Sequence, residues 1–284
     1  MAQRNISSIY NAVPARLLPW FSENARDLPW RKDKNPYHVW LSEIMLQQTR
    51  VEAVRGYFLR FIETFPTVSA LAKADEDAVL KLWEGLGYYT RARNLQKAAK
   101  AVMEKHDGVF PSTYEDILAL PGVGEYTAGA VSSICFELPR PAVDGNVLRV
   151  IARLTNDSTP IDLPVFKKEV SASLSCIYPE GACGDFTQSL MELGAMVCIP
   201  KAPRCALCPL SDICLAKKEG TAVLLPKRTP RRARTISEKT VFLFMKDGKI
   251  AVRKREDRGL LKGLWELPNI EGKCTPDEAV RAAE

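Results

Sequence analysis

Residues 120–128 read Leu-Pro-Gly-Val-Gly-Glu-Tyr-Thr-Ala. Pro121 and Gly122 punctuate the chain, and two glycines around Val123 permit a tight turn. The apolar pattern predicts a helix over 113–119 before the turn and another over 125–137 after it. Such a turn sets backbone N–H groups at a helix N-terminus, where they can hold a phosphate without reading a base. The segment therefore reads as a helix–hairpin–helix. Leu120, Gly122, Val123 and Gly124 are its candidate contacts to a nucleic-acid backbone.

Outward from this turn the chain continues helical. A first helix is expected over 5–25, with Ile6, Ile9, Tyr10, Val13, Leu17 and Phe21 on its apolar face. A turn, 28–31 (LPWR), follows, then a single helical pattern from Pro36 to Phe65 that Pro66 stops. Further helices are expected at 67–73, 75–86, 90–106, 143–154, 163–176 and 185–196. No run of alternating strands appears before residue 220. At 225–238 the composition changes to a basic, proline-containing tether with Lys227, Arg228, Arg231, Arg232 and Arg234. Beyond it, 239–246 and 249–255 read as strands around the turn Asp247-Gly248.

The chain has 284 residues, more than one average domain of roughly 150 and short of two. With 46% apolar residues it can build a core, which excludes disorder as its main state. No stretch is apolar enough to span a membrane, and the first twenty residues carry no signal-type apolar run. A net charge of +6 is compatible with a polyanionic partner but identifies none. A cytoplasmic, monomeric protein without membrane attachment is expected.

Eight cysteines are present, and four crowd into Cys198-x6-Cys205-x2-Cys208-x5-Cys214. Without a signal peptide, a reducing compartment and a metal site explain them better than disulfides do. Four thiolates so close in sequence can converge on zinc or on a 4Fe–4S cluster, and spacing does not choose between them.

Two carboxylates stand in promising surroundings. Glu43 lies in 40–49 (WLSEIMLQQT), with Trp40 nearly one turn before it and Leu46 nearly one turn after. Desolvation there raises a carboxyl pKa and suits a general acid near neutral pH. Asp144 precedes a helix with apolar Val147, Leu148, Ile151 and Leu154, where an N-cap role is equally natural. Cleavage of a glycosidic bond commonly uses such a pair, one to protonate the leaving group and one to stabilise the sugar cation. Joined to a DNA-binding hairpin, the pair points to excision of a base. Two other classes compete: a glycosylase that also cuts the strand, and a non-enzymatic iron–sulfur DNA-binding or redox module.

The hairpin, an aspartate about twenty residues on and the cysteine run together resemble the endonuclease III superfamily of DNA glycosylases. Within it the sequence is similar to the adenine DNA glycosylase (MutY) family. Segments 28–31, 40–49, 85–94 (GLGYYTRARN), 120–128 and 143–150 (VDGNVLRV) carry that likeness, which spans about residues 5–284. It implies a mainly α fold of two helical lobes, one a six-helix barrel at 30–137 and one a 4Fe–4S lobe from 1–29 and 138–225. A linker at 226–237 leads to a NUDIX-like (MutT-like) α+β portion at 238–284, with 259–268 (GLLKGLWELP) as its signature. The signature departs from that of NUDIX hydrolases at Asn269-Ile270, so their activity is not expected. The helix that Thr275-Pro276 opens runs to the last residue, which suggests a domain cut short and weaker 8-oxoguanine discrimination than a longer chain has.

The resemblance also implies site roles. Glu43, Asp144, Tyr126 and Asn146 would be catalytic; Arg31, Gln188, Trp30 and Leu46 would hold adenine. Gln48, Thr49, Leu86 and Tyr88 would wedge into the duplex opposite, at 8-oxoguanine. Cys198, Cys205, Cys208 and Cys214 would carry the cluster, and a monovalent cation would sit at the hairpin. Arg149 and Arg153 would face the cluster, a phosphate or solvent. Relatives that cut the strand carry a lysine where this chain has Tyr126, and a phenol cannot form the imine that step needs.

Overall fold

The structure, a computed structural model, describes residues 2–230, 236–255, 261 and 263–283. Arg231, Arg232 and Arg234 of the tether lie outside the described residues, as do Gly259, Leu260 and Lys262 of the 259–268 signature. The chain divides into residues 1–229 and residues 230–284.

The first unit is helical throughout. It opens with α1 (Ala2–Asn11) and α2 (Val13–Asn24), then a short 3-10 turn at Pro29–Arg31. The single helix expected over 5–25 is thus two: Pro14 sits at the start of α2, where a missing N–H costs nothing, and Ala12 is the joint. Next come α3 (Pro36–Leu46), α4 (Val51–Thr64), α5 (Val68–Lys73), α6 (Glu76–Trp83), α7 (Thr90–Lys105), α8 (Tyr114–Leu118) and α9 (Glu125–Phe136). The helix expected from 36 to 65 is also two. Gln48 takes a left-handed conformation (φ 61°), which breaks the helix and turns the chain at residues 47–50. Caps mark the starts: Asn35 accepts from the Tyr37 amide, Thr67 from Ala70, Asp75 from Asp77 and Ala78, and Thr113 from Asp116.

Two separate cores lie in this unit. The first is built by α3 to α9 around Trp40, Phe58, Phe61 and Trp83. That makes seven helices in the span expected to hold six, because the 36–65 segment divides. The second joins α1 and α2 to α10 (Gly145–Leu154), α11 (Pro164–Ser175) and α12 (Cys183–Met196), packing Val13, Leu17, Ile151 and Phe186. The chain thus returns its N-terminal helices to the lobe that its later helices form. Helix α12 packs on α2, α9 and α10 and so bridges both cores. A short α13 (Leu215–Lys218) follows the cysteine run. Residues 227–229 stay tied to this unit: Lys227 O accepts from the Ile161 amide, and the Thr229 hydroxyl bonds Asp162.

Among its described residues the second unit shows three two-stranded antiparallel pairs and a helix. Strand β1 (Lys239–Val241) pairs with β6 (Asn269–Glu271); β2 (Met245–Lys246) with β3 (Lys249–Ile250); and β4 (Arg253–Lys254) with β5 (Trp265–Glu266). Asp247 (φ 50°) and Gly248 (φ 72°) form the expected hairpin turn. The two long strands expected around it are each broken, and the outer part of the first pairs with β6 instead. Thr275 caps α14 (Pro276–Ala283) in a capping box: its amide donates to Glu278, whose own amide donates back to the threonine hydroxyl.

Candidate active site

Helix α3 is buried on nearly every side, from Tyr37 and Val39 to Met45. Glu43 therefore cannot occupy a wet face; it is 6% exposed. Burial pushes its carboxyl up to about 7, Asp144 pushes further, and the Tyr126 hydroxyl and Arg31 pull against them. Tyr126, at the start of α9, donates to Glu43 Oε2 at 2.6 Å. Its phenol is held well above the usual range by burial and by the two carboxylates, so it stays protonated as a donor.

Asp144 is the N-cap of α10. Its Oδ1 accepts from the Asn146 and Val147 amides at 2.9 and 2.8 Å, and its Oδ2 from Asn146 Nδ2 at 2.7 Å. The cap and the candidate catalytic carboxylate are one side chain. Burial raises its pKa, while these donors and Arg149 favour the charged form. The pair thus meets two environments, Glu43 with one phenol donor and Asp144 with three donors at a helix N-terminus.

Both carboxylates open on one pocket of about 600 Å³ between the two lobes. Tyr126, Asn146, Arg31, Gln188, Trp30 and Leu46 line it, and Gln48 and Thr49 stand at its wall with Gly124 of the hairpin. The structure thus brings the catalytic and base-binding candidates together. Arg31 does not point freely into the space: its Nη2 donates to Glu192 at 2.9 Å.

Leu86 departs from expectation. It is 6% exposed and packs in the first core, so its side chain has no route into a duplex. Tyr88, two residues on, is 64% exposed with a left-handed backbone (φ 49°). Leu120 is likewise buried, and its carbonyl accepts from the Val123 amide at 3.1 Å. The Leu120 and Val123 amides are thus both engaged within the turn, and amide contacts to a phosphate fall to Gly122 and Gly124. Gly122 has φ 76°, and a Cβ there would stand 2.6 Å from Asn94 Cβ. Gly124 is the N-cap of α9 without a side-chain cap, which leaves first-turn N–H groups free for an anion.

Arg149 and Arg153 are not a solvated or phosphate-facing edge; both are buried. Arg149 donates to Cys198 O, Gly194 O and Asn146 Oδ1, each at 2.8 Å. Arg153 donates to Ile199 O, Pro200 O and Leu225 O, and lies 3.3 Å from Cys198 Sγ. A Cβ on Gly194 would stand 2.6 Å from Asn146 Cβ, so only glycine lets α12 approach α10 here. The cysteine loop and the Asp144–Asn146 pair are thereby held by one guanidinium.

Cys198, Cys205, Cys208 and Cys214 line one small cavity of about 30 Å³. Burial, then the neighbouring thiols, push Cys208 up to about 12, and the same causes raise Cys214. Among the described residues no three His, Cys, Asp or Glu side chains converge on a single-ion position.

Three residues escaped the sequence reading. Glu192 is fully buried and accepts from Arg26 N and Nε and from Arg31 Nη2, which holds its carboxyl down at about 2 despite burial. It sits one turn after Gln188 on α12. Met191 reaches Tyr126 OH at 3.8 Å through its sulfur. Arg91 had no signal beyond its place in 85–94.

Comparisons with known proteins agree with this geometry. Residues 41–168 match the family described as "HhH-GPD superfamily base excision DNA repair protein". The adenine DNA glycosylase of Buchnera aphidicola subsp. Schizaphis graminum is 36% identical over 259 residues, 90% of this chain and 74% of that one. A thermostable thymine-DNA glycosylase superposes with TM-score 0.67 and 27% identity, over 77% of this chain and 100% of its own. A trapped endonuclease III–DNA covalent intermediate superposes with TM-score 0.60 and 25% identity, over 72% and 93%.

Proposed function

Since the chain belongs to the adenine DNA glycosylase family of helix–hairpin–helix repair enzymes, we propose that its substrate is adenine mispaired with 8-oxoguanine or guanine in duplex DNA. The observation that carries this reading is the shared pocket, with Glu43 under the Tyr126 hydroxyl and Asp144 fixed at a helix N-terminus. A flipped adenine enters beside Trp30, Leu46 and Gln188. Protonated Glu43 gives its proton to adenine N7. The C1′–N9 bond then breaks, its electron pair leaving with adenine. The carboxylate of Asp144 stabilises the oxocarbenium ion, directly or as a glycosyl adduct, and Asn146 keeps it in place. Water adds at C1′, and its proton returns to Glu43.

Tyr126 occupies the position of the strand-cutting lysine and has no amine, so the proposed enzyme is monofunctional. Gln48, Thr49 and Tyr88 read the opposite strand in this account, and the second unit is proposed to serve 8-oxoguanine recognition. Cys198, Cys205, Cys208 and Cys214, which line one cavity, are the residues that would hold the proposed 4Fe–4S cluster. When bound, such a cluster supplies thiolate–iron bonds that fix the loop against α10. The hairpin offers backbone carbonyls, the hard oxygen donors suited to the proposed monovalent cation. A reducing, cytoplasmic setting suits eight free cysteines.

The test is excision from duplexes carrying adenine opposite 8-oxoguanine, guanine or thymine. Turnover on the first two, a heat-labile abasic product and no borohydride-trapped imine are expected. Equal turnover on all three would defeat the specificity, and a trapped imine the monofunctional assignment.

A further inference from the structure

Arg91 lies in the first turn of α7, away from the pocket, and its guanidinium reaches six oxygen atoms: two in the last turn of α3, two in the 47–49 loop that follows it and two in the 86–88 loop. Nη1 donates to Ile44 O at 2.8 Å, Met45 O at 3.0 Å and Gln47 O at 2.6 Å. Nη2 donates to Leu86 O at 3.1 Å and Gly87 O at 3.2 Å, with Thr49 Oγ1 at 3.5 Å. The same group lies 5.4 Å from the Trp83 ring centroid and 5.7 Å from that of Tyr88.

Two of these carbonyls have a particular place. Gln47 precedes Gln48 and Gly87 precedes Tyr88, and Gln48 and Tyr88 are the left-handed residues that project from the two loops. A non-glycine residue in that conformation is costly and persists only where its surroundings over-determine it. Gly87 O is held further by Trp83 Nε1 at 3.1 Å. A half-buried guanidinium balanced by carbonyls rather than a carboxylate carries a desolvation cost, which lowers its pKa. Its Nε, buried, has no partner at all. A lysine would neutralise nothing more and could not span both loops, since one ammonium lacks the planar fork.

We propose that Arg91 is the clasp that holds the 47–49 and 86–88 loops at a fixed separation, so that Gln48 and Tyr88 enter the duplex together. It is a positioning residue for reading the base opposite adenine. The inference rests on the proposed wedge role of those two side chains.

The test is binding of a duplex with 8-oxoguanine opposite non-cleavable 2′-fluoro-adenosine, against the same duplex undamaged. The variants are Arg91→Met, Arg91→Lys and Gln48→Ala/Tyr88→Ala, and the combination of Arg91→Met with the last. Arg91→Met is expected to lower the lesion-to-undamaged affinity ratio by about tenfold, with Arg91→Lys recovering part of it. In the Gln48→Ala/Tyr88→Ala background the same substitution should change that ratio by less than about twofold, because coupled groups are non-additive. General damage to the fold would lower both affinities alike and leave the ratio unchanged, which would overturn the clasp. Additive effects would overturn it too, while leaving the wedges intact. If Gln48→Ala/Tyr88→Ala keeps the full ratio, the wedge reading fails, and the clasp with it.

Discussion

Glu43 and Glu192 are both buried glutamates on lobe-facing helices, and their partners send them opposite ways. Burial raises Glu43 to about 7, since one phenol donor and Arg31 offset it only in part and Asp144 adds to it. Glu192 meets Arg26 and Arg31 and falls to about 2. Two predictions follow from those signs. If Glu43 is the acid, single-turnover excision falls as pH rises through about 7, and Glu43→Gln lowers it by about 10²–10⁴-fold while duplex binding persists. Retained turnover in Glu43→Gln would remove it from the acid role. Glu192 adds stability that is fully present above its unfolded pKa of 4.5 and is lost as pH falls toward 2. Glu192→Ala is expected to destabilise the fold by about 3 kcal/mol at neutral pH and to flatten its acid unfolding limb, measured by thermal melts across pH. Of the two residues only Glu43 was legible in sequence, because apolar neighbours announce a desolvated carboxylate. An ion pair between residues 26 and 192 leaves no local trace.

At the level of elements the hairpin and α10 follow their sequence closely, and the segment 36–65 does not. The hairpin turns on Gly122, whose conformation and whose contact with Asn94 both exclude a side chain. Gly122→Ala should therefore cost at least about 1–2 kcal/mol and weaken binding of any duplex, lesion or not; filter binding at several salt concentrations reads this. A loss confined to lesion duplexes would mean the turn does not hold backbone. Helix α10 begins after Asp144 because that side chain caps it, so one residue both starts the element and lines the pocket. The break at 47–50 is invisible to hydrophobic periodicity, which runs on unbroken from α3 into α4. Arg91, some forty residues later, bonds the carbonyls there.

Over the first unit as a whole, two cores meet along α12, and the pocket lies where they meet. The cysteine loop hangs from the second core through Arg149 and Arg153. Cys208→Ser is accordingly expected to lose the visible charge-transfer band and bound iron and to lower the melting temperature by several degrees, whereas exposed Cys176→Ser changes none of these. Zinc in the purified protein, or an unchanged spectrum in Cys208→Ser, would refute the cluster. No described helix is long and apolar enough to cross a membrane. The second unit shows β pairing where β-type sequence was read, but with β1 joined to a strand thirty residues on rather than to its neighbour.

Sequence alone determined the helical class of the first unit, the hairpin, the four-cysteine run and the two carboxylates. Each is a local property: a periodicity, a glycine turn, a ligand spacing, an apolar neighbourhood. Only the tertiary structure decided that α1 and α2 return to the second core, that Leu86 is packing and Tyr88 is not, and that Arg149 and Arg153 are buried. It also decided which cations meet Glu192. The physical reason is the same in every case. Burial and ion pairing depend on groups far apart in the chain, and a charge or a large apolar side chain takes its role from the partners that folding brings to it.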